Sequence, residues 1–169
     1  MVHLVTLGAG GGSIARYERM YRTVEIGPQS AGSDPGPACY DRGGLRPTVT
    51  DADLLLGYLD PSNYANGRIR LNPKRARQSF EEHLCDDLDL SVIEAAKLVK
   101  RQVAANMANG TATELRTRGY EPAEFTILAY GGNGPLHACG IANALGAQRI
   151  LAPPYSSTFS ACGAGNVNQ

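Results

Sequence analysis

The sequence lacks the features that mark several large classes of protein. Its 16 Lys and Arg residues balance 16 Asp and Glu residues, so the formal net charge is zero. No basic patch with interleaved aromatics is present that could follow a nucleic-acid backbone. No apolar run approaches the length of a membrane span, and the N-terminus lacks the charged-then-apolar layout of a signal peptide. We therefore expect neither a nucleic-acid nor a membrane partner.

Cysteine pairs and the common phosphate-binding motif are also missing. The four cysteines are Cys39, Cys85, Cys139 and Cys162. They lie far apart with no CxxC spacing, so the sequence suggests neither a zinc site nor a disulfide framework. A cytoplasmic protein with reduced thiols is the default expectation. No GxxxxGK[ST] loop occurs in the sequence.

A glycine cluster near the N-terminus looks like a dinucleotide-binding motif but does not have its context. The cluster follows a short apolar run at residues 2–7, which predicts a strand. Its sixth position is a serine and no amphipathic helix follows, so a Rossmann fold is excluded. Two interpretations stay open: a tight turn where two backbones pack closely, or a substrate or phosphate wall made of Gly10, Gly11, Gly12 and Ser13.

Glycine and proline divide the chain into three parts. Residues 1–60 and 124–169 are rich in both, whereas residues 72–119 are glycine-poor and have helical spacing. The length and a hydrophobic fraction of 43% suffice to bury a core. We expect a single domain over residues 1–169, of the α/β class, with strand–loop–helix units around a helical middle.

Local signals place several elements in the first two parts. A hairpin is predicted from residues 13–17 and 20–26, and a short helix over residues 52–58, capped by Thr50 or Asp51. Asn72 and Pro73 open a helix. The capping box at residues 91–94 opens a longer one, which ends near Gly119 and carries an apolar stripe of Ile93, Ala96, Val99, Val103 and Met107.

The third part contains the most informative loop of the chain. A strand at residues 124–130, a helix at 135–145 and a strand at 148–151 form a βαβ unit. Ligands bind such units at the carboxyl ends of the strands, where glycine admits a flat ligand and helix N-termini favour anions or polar ring edges. We predict that this loop binds a nucleotide through Gly131, Gly132, Asn133, Gly134 and Pro135.

Five motifs, taken together, resemble one protein family. They lie at residues 8–15, 27–40, 47–52, 131–138 and 153–161, so they are spread over almost the whole chain. In this order the motifs resemble the hydantoinase A / 5-oxoprolinase family, which also includes subunits of ATP-dependent acetone and acetophenone carboxylases.

The resemblance implies an actin-like ATPase fold, in which ATP lies between two RNase H-like lobes and a GGxGP-type loop contacts the adenosine. It also implies Mg²⁺ and phosphorylation of a carbonyl-derived oxygen, used to open a cyclic amide or to carboxylate a ketone. The family's two earlier phosphate loops, each with Asp, glycines and Thr, do not occur here.

The chain is therefore expected to be part of one actin-like lobe, with a partner subunit or segment that carries the phosphate loops in a hetero-oligomer. The leading hypothesis is a segment or small subunit of an ATP-dependent cyclic-amide hydrolase, with little activity alone. A ketone carboxylase subunit and a non-catalytic assembly subunit are the alternatives.

Individual reactive side chains are less informative than the loops. Asp51 is a candidate metal ligand, although helix capping is the favoured interpretation. His137 either faces the nucleotide or packs in the core, and it points away from Cys139 two residues on. Cys162 has no identifiable base, and no catalytic residue is assigned.

Overall fold

The computed structural model describes residues 4–166, in which the chain forms two compact units. Of the described residues, 4–103 belong to the first, the N-terminal unit, and 104–166 to the second, the C-terminal unit. A single domain over residues 1–169 stays a prediction. None of the helices within residues 4–166 is long and apolar enough to cross a bilayer.

The N-terminal unit begins with the predicted hairpin. Strands β1 (Ser13–Glu18) and β2 (Thr23–Ser30) pair antiparallel. Ala15 is buried on one strand and Val24 and Ile26 on the other, which is the alternation of a half-buried sheet. The strand predicted at residues 2–7 is wrong over residues 4–7, which form no strand, and residues 2 and 3 lie outside the described part. Leu4 is 90% exposed, so its apolar character has no packing to stabilise a strand there.

Helix α1 (Val49–Leu55) begins three residues before the position predicted for it. Its N-cap is Thr48, neither Thr50 nor Asp51, and Thr48 forms a reciprocal capping box with Asp51 at the third helical position. The amide of Thr50 donates to the carbonyl oxygen of Gly11 at 2.8 Å. The prediction failed because several capping residues stand side by side in the sequence, and contacts distant in sequence select among them.

The predicted middle helices are present. Helix α2 (Pro73–Phe80) is capped by Asn72 and continues through a π-helical turn (Glu81–Cys85) into α3 (Asp86–Leu88). Helix α4 (Val92–Thr117) begins at the Ser91–Glu94 capping box, and Gly119 follows its end with φ +81°. The predicted apolar stripe of α4 is buried at Ala96, Val99 and Val103, whereas Ile93 is 38% exposed.

The C-terminal unit contains the predicted βαβ arrangement. Strand β3 (Thr126–Leu128) and strand β4 (Arg149–Leu151) pair in parallel, with Leu128 opposite Leu151. Helix α5 (Gly134–Leu145) connects them and ends at Gly146, whose φ is +71°. A 3₁₀ turn (Ser156–Thr158) and helix α6 (Phe159–Asn166) follow β4.

Helix α5 approaches α4 closely where Gly140 faces Ala104. A Cβ atom built on Gly140 would lie 2.8 Å from the Cβ atom of Ala104. That Cβ is fixed to the backbone, so the helices must separate to admit a methyl group. Replacing Gly140 with alanine is expected to lower the free energy of unfolding of the C-terminal unit by about 1–2 kcal/mol, measured by urea denaturation. Gly163→Ala, in open space on α6, should be neutral or stabilising by up to about 1 kcal/mol; equal stability of the two variants would contradict this packing.

Candidate functional site: the glycine loop before helix α5

The loop at residues 131–135 connects the carboxyl end of β3 to the start of α5. The amide of Ala129 donates to the carbonyl oxygen of Leu151 at 2.8 Å, which extends the strand pairing to the beginning of the loop. Gly131 then turns the chain with φ +84°, and its amide donates to the carbonyl oxygen of Ser156 at 2.7 Å. The loop therefore lies where parallel α/β units bind ligands, and its base is held by the turn after β4.

Helix α5 begins without a side-chain cap of the kind that α1 and α2 have. Thr48 and Asn72 precede α1 and α2 in an extended conformation, and each accepts a hydrogen bond from its helix. Asn133 precedes α5 with ψ −13°, a helical value, and its side chain caps nothing. Pro135 has no amide donor, and the amide of Leu136 donates to the carbonyl oxygen of Asn133. The positive end of the α5 dipole is thus not neutralised by a cap.

Two glycines of the loop are not explained by the fold. Gly131 needs its left-handed φ, but neither Gly132 nor Gly134 has a positive φ. A Cβ atom on Gly132 would meet no atom within 4 Å, and one on Gly134 would meet only the carbonyl carbon of Ala129, at 3.9 Å. The described chain has room for a Cβ atom at both positions, so the fold does not require glycine there, and the lack of side chains leaves the backbone open to a ligand.

An aromatic pair flanks the loop, and the sequence analysis did not single it out. The ring centres of Tyr130 and Phe159 lie 5.6 Å apart, and Tyr130 is 46% exposed. A large aromatic directly before the glycines was the available signal. His137 is buried in the first turns of α5, as a packed core histidine would be; that it faces a nucleotide stays a prediction.

The glycine cluster near the N-terminus forms a tight turn. Ser13 closes it in both directions: its Oγ accepts from the amide of Gly10 at 3.0 Å, and its own amide donates to the carbonyl oxygen of Gly10 at 3.0 Å. A Cβ atom on Gly12 would lie 2.8 Å from Oγ of Ser30. A Cβ atom on Gly10 would meet nothing within 4 Å, so close packing does not account for every glycine of the segment. A wall formed by Gly10, Gly11, Gly12 and Ser13 stays a prediction.

Asp51 takes part in the capping box of α1 from the third helical position, whereas the N-cap itself is Thr48. The Asp51 side chain is fully buried, and its Oδ2 accepts from the amide of Thr48 at 2.9 Å and from the Thr48 hydroxyl at 2.7 Å. Its Oδ1 accepts from the amide of Cys39 at 2.7 Å, and Oδ2 also from that of Ala38 at 3.3 Å. Both carboxylate oxygens thus connect the Gly- and Pro-rich loop to α1.

The described residues form no metal-binding cluster, and the buried thiol of Cys39 is not activated. Between residues 4 and 166, no three His, Cys, Asp or Glu side chains are placed to hold a metal ion together. Burial, and after it the charge of Asp51, raises the pKa of the Cys39 thiol far above its usual range. A thiol in that state is not a nucleophile at neutral pH.

A buried ion pair that the sequence analysis did not predict connects α1 and α4. Oδ1 of Asp53 lies 2.5 Å from Nζ of Lys100, which also lies 5.0 Å from the ring centre of Tyr58. The Asp53 side chain is fully buried, and burial raises its pKa even though Lys100 opposes the shift. The partners are 47 residues apart in sequence, so no local pattern joins them.

A family profile and a curated relative cover almost the whole chain. The profile described as Hydantoinase/oxoprolinase matches residues 1–167. The acetophenone carboxylase gamma subunit of Aromatoleum aromaticum is 42% identical over 96% of this chain, and the match covers 22% of that subunit.

Two solved structures share the fold. The ATP-dependent caprolactamase of Pseudomonas jessenii superposes with a TM-score of 0.87 at 39% identity, over 96% of this chain and 23% of its own. The nucleotide-free acetone carboxylase superposes with a TM-score of 0.83 at 33% identity, over 93% of this chain and 22% of its own.

These matches agree with the α/β architecture and with its assignment as part of an actin-like lobe. The chain spans less than a quarter of each of these proteins. It belongs to the hydantoinase/oxoprolinase family.

Proposed function

We propose that this chain is the adenosine-binding segment of an ATP-dependent enzyme subunit of the hydantoinase/oxoprolinase type. The observation that carries the proposal is the start of α5, where Asn133 leaves the helix without a side-chain cap although α1 and α2 both have one. A helix N-terminus left open beside glycines that the fold does not need is suited to a polar ligand.

The loop would hold the nucleoside through its backbone. Within residues 4–166, the amides of Gly132 and Gly134 have no protein acceptor, so they are available to a ring edge or a ribose oxygen. The missing Cβ atoms let a flat base approach the main chain. The exposed part of Tyr130 offers an apolar ring at the side of the same loop.

ATP fits these residues, whereas Mg²⁺ does not. The loop offers backbone donors and an open surface, but the described residues contain no group of metal ligands. In the proposed assembly, ligands for Mg²⁺ and the phosphate-binding loops come from a partner subunit or segment. The part played by this chain is then to bind and orient the adenosine, which fixes the position of the reacting phosphate.

The proposed reaction is the ATP-dependent opening of a cyclic amide, and carboxylation of a ketone is the second candidate. The caprolactamase relative supports the first, and the 42% identity to an acetophenone carboxylase subunit supports the second. Both named proteins are described as subunits, which supports a hetero-oligomer. The proposal places this assembly in the cytoplasm. Assays of the assembled enzyme with hydantoin, oxoproline, caprolactam and a ketone separate the two reactions.

Gly132→Leu tests the adenosine wall. A Cβ atom at this position meets no atom within 4 Å, so we expect the leucine to leave stability nearly unchanged while it fills the space proposed for the nucleoside. We expect ATP affinity of the assembled enzyme to fall by about 10- to 100-fold, the cost of overfilling a packed contact. Calorimetric titration with ATP measures this.

Ala144→Leu is the matched control, because it adds an apolar side chain at an exposed position near the other end of α5. It should leave ATP affinity within about twofold. Unchanged affinity in a folded Gly132→Leu assembly would remove the loop from the nucleotide site.

A further inference from the structure

The N-terminal unit contains a cavity that the proposed function does not use. It lies between the loop at residues 41–45 and the face that α2 and the π-helical turn after it share, and its volume is about 70 Å³. A water molecule needs about 10–15 Å³ of such space, so a small organic ligand can take the place of several waters here. Two lining residues, Ala38 and Ser79, are buried, so the cavity rests on the packed part of the unit.

The loop side of the cavity offers hydrogen-bond donors. Among the described residues, the amides of Gly43 and Gly44 donate to no protein acceptor. Arg75 of α2 reaches the same loop, because its Nε lies 3.0 Å from Oδ1 of Asp41. Backbone amides beside a guanidinium group are the donors that carboxylates and phosphates prefer.

A chain of hydrogen bonds connects this arginine to a carboxylate about two helical turns further along. Nη1 of Arg75 donates to Oε1 of Gln78 at 3.4 Å, and Nε2 of Gln78 donates to Oε1 of Glu82 at 2.7 Å. Within the described part of the chain, Nη2 of Arg75 and Oε2 of Glu82 make no hydrogen bond. One guanidinium donor and one carboxylate oxygen therefore remain available, with a single amide group between their side chains.

The two ends of the cavity differ in charge. Arg42 and Arg46 flank the loop glycines, are exposed and form no ion pair with a carboxylate of residues 4–166. Glu82 has no cation within ion-pair distance among the same residues. Leu45 also lines the cavity and is 66% exposed, so it offers an apolar contact. A ligand with an anionic end, an alkyl linker and a cationic end is complementary to these groups.

We infer that this cavity binds a zwitterionic amino acid, with its carboxylate at Arg75 and the loop amides and its ammonium group at Glu82. The charges that line the cavity carry the ligand class, and its link to a reaction rests on the proposed function. When a cyclic amide opens, the oxygen of water bonds to the carbonyl carbon, the C–N bond breaks and the nitrogen takes the protons. The product has a carboxylate and an ammonium group on one alkyl chain, which is the class that the cavity fits.

Titration of the ¹⁵N-labelled full chain with three small molecules tests this inference by NMR. The probe is 6-aminohexanoate, the amino acid that the opening of caprolactam gives, and hexanoate and hexylamine each carry one of its two charges. Low ionic strength is used because salt screens exposed charges. The chain should bind 6-aminohexanoate roughly tenfold or more tightly than either control, and the amide signals of Gly43 and Gly44 should shift.

Paired variants separate the two ends of the ligand. Glu82→Gln should weaken 6-aminohexanoate by roughly tenfold, to the affinity of hexanoate, and leave hexanoate itself unchanged. Arg75→Met should reduce 6-aminohexanoate to the affinity of hexylamine. Glu81→Gln and Arg77→Met are the matched controls, because this exposed pair lies on the same helical segment outside the cavity lining; each should change the affinity by less than about twofold. A merely structural role of Glu82 would instead weaken hexanoate as well.

Three results would overturn the inference: no saturable binding of 6-aminohexanoate, equal affinity for the zwitterion and a molecule with one charge, or amide shifts confined to residues outside 38–45 and 75–82. Failure of the proposed function gives a different result. In that case the chain binds 6-aminohexanoate in the cavity, but the assembled enzyme opens no cyclic amide.

Discussion

Replacing Asp51 with alanine is expected to abolish most of the stability of the N-terminal unit. The carboxylate accepts hydrogen bonds from the amides of Cys39 and Thr48 and from the Thr48 hydroxyl, all of them buried. Each buried donor left without a partner costs about 1–3 kcal/mol, and the lost helix cap about 1 kcal/mol more. The expected loss of about 4 kcal/mol or more is a large part of the 5–15 kcal/mol typical of a domain.

Urea denaturation followed by circular dichroism measures this loss. Asp60→Ala is the control, because Asp60 makes a similar local contact with Ser62 but on the exposed surface; its denaturation midpoint should stay near that of the unchanged chain. Asp51→Asn should also be strongly destabilised, because an amide can accept from only one of its two terminal atoms. An Asp51→Ala chain as stable as the original would show that the loop at residues 27–40 is not held by this carboxylate.

The second large effect is expected for Lys100→Met. This change leaves the fully buried carboxylate of Asp53 without its cation, and breaking a buried pair on one side typically costs about 3–5 kcal/mol. Removing the carboxylate instead, by Asp53→Asn, should cost less. Lys100 keeps 15% of its side chain exposed, so it can turn its charge to water. The double variant Asp53→Asn with Lys100→Met should therefore recover much of the loss.

The loss of stability in Lys100→Met should change with pH in a defined direction. Burial already raises the pKa of Asp53 in the folded chain, and removing Lys100 takes away the group that lowers it. A carboxyl whose folded pKa exceeds its unfolded value of about 3.9 stabilises the fold below that value, and the stability is lost as pH rises through the folded pKa. The deficit of Lys100→Met should therefore be small in acid and reach its full size toward neutral pH.

Denaturation of both chains at several pH values checks this sign. Arg16→Met is the control, because it removes the cation of the exposed Arg16–Glu25 pair and should cost at most about 1 kcal/mol. A Lys100→Met deficit that stays constant with pH would mean that Asp53 does not become ionised beside the lost cation.

Local chemistry made part of the fold predictable from the sequence. Asn72 before Pro73 and the Ser91–Glu94 pair start their helices through contacts within four residues, and both starts are where the sequence placed them. The start of α1 was not predictable in this way, because Thr48, Thr50 and Asp51 are all competent caps. The contacts with Gly11, Ala38 and Cys39 that select Thr48 come from distant parts of the chain.

The candidate site, like the fold, could be predicted only in part from the sequence. The position of the loop between β3 and α5 follows from the glycines and the βαβ spacing, and both elements are present. The helical ψ of Asn133 and the open space around Gly132 are properties of the folded backbone, and residue types alone do not reveal them. The Asp53–Lys100 pair was missed because helix packing, not sequence spacing, joins its two members.

Photolabelling with 8-azido-ATP is the most direct test of the adenosine wall. The chain is assembled with the remainder of the acetophenone carboxylase gamma subunit, irradiated, digested and mapped by mass spectrometry, with excess ATP as competitor. The account predicts a label that ATP displaces, on the peptide that contains Tyr130, Gly132 and Asn133. Labelling confined to the remainder of the subunit, or to residues 4–60 of this chain, would contradict it.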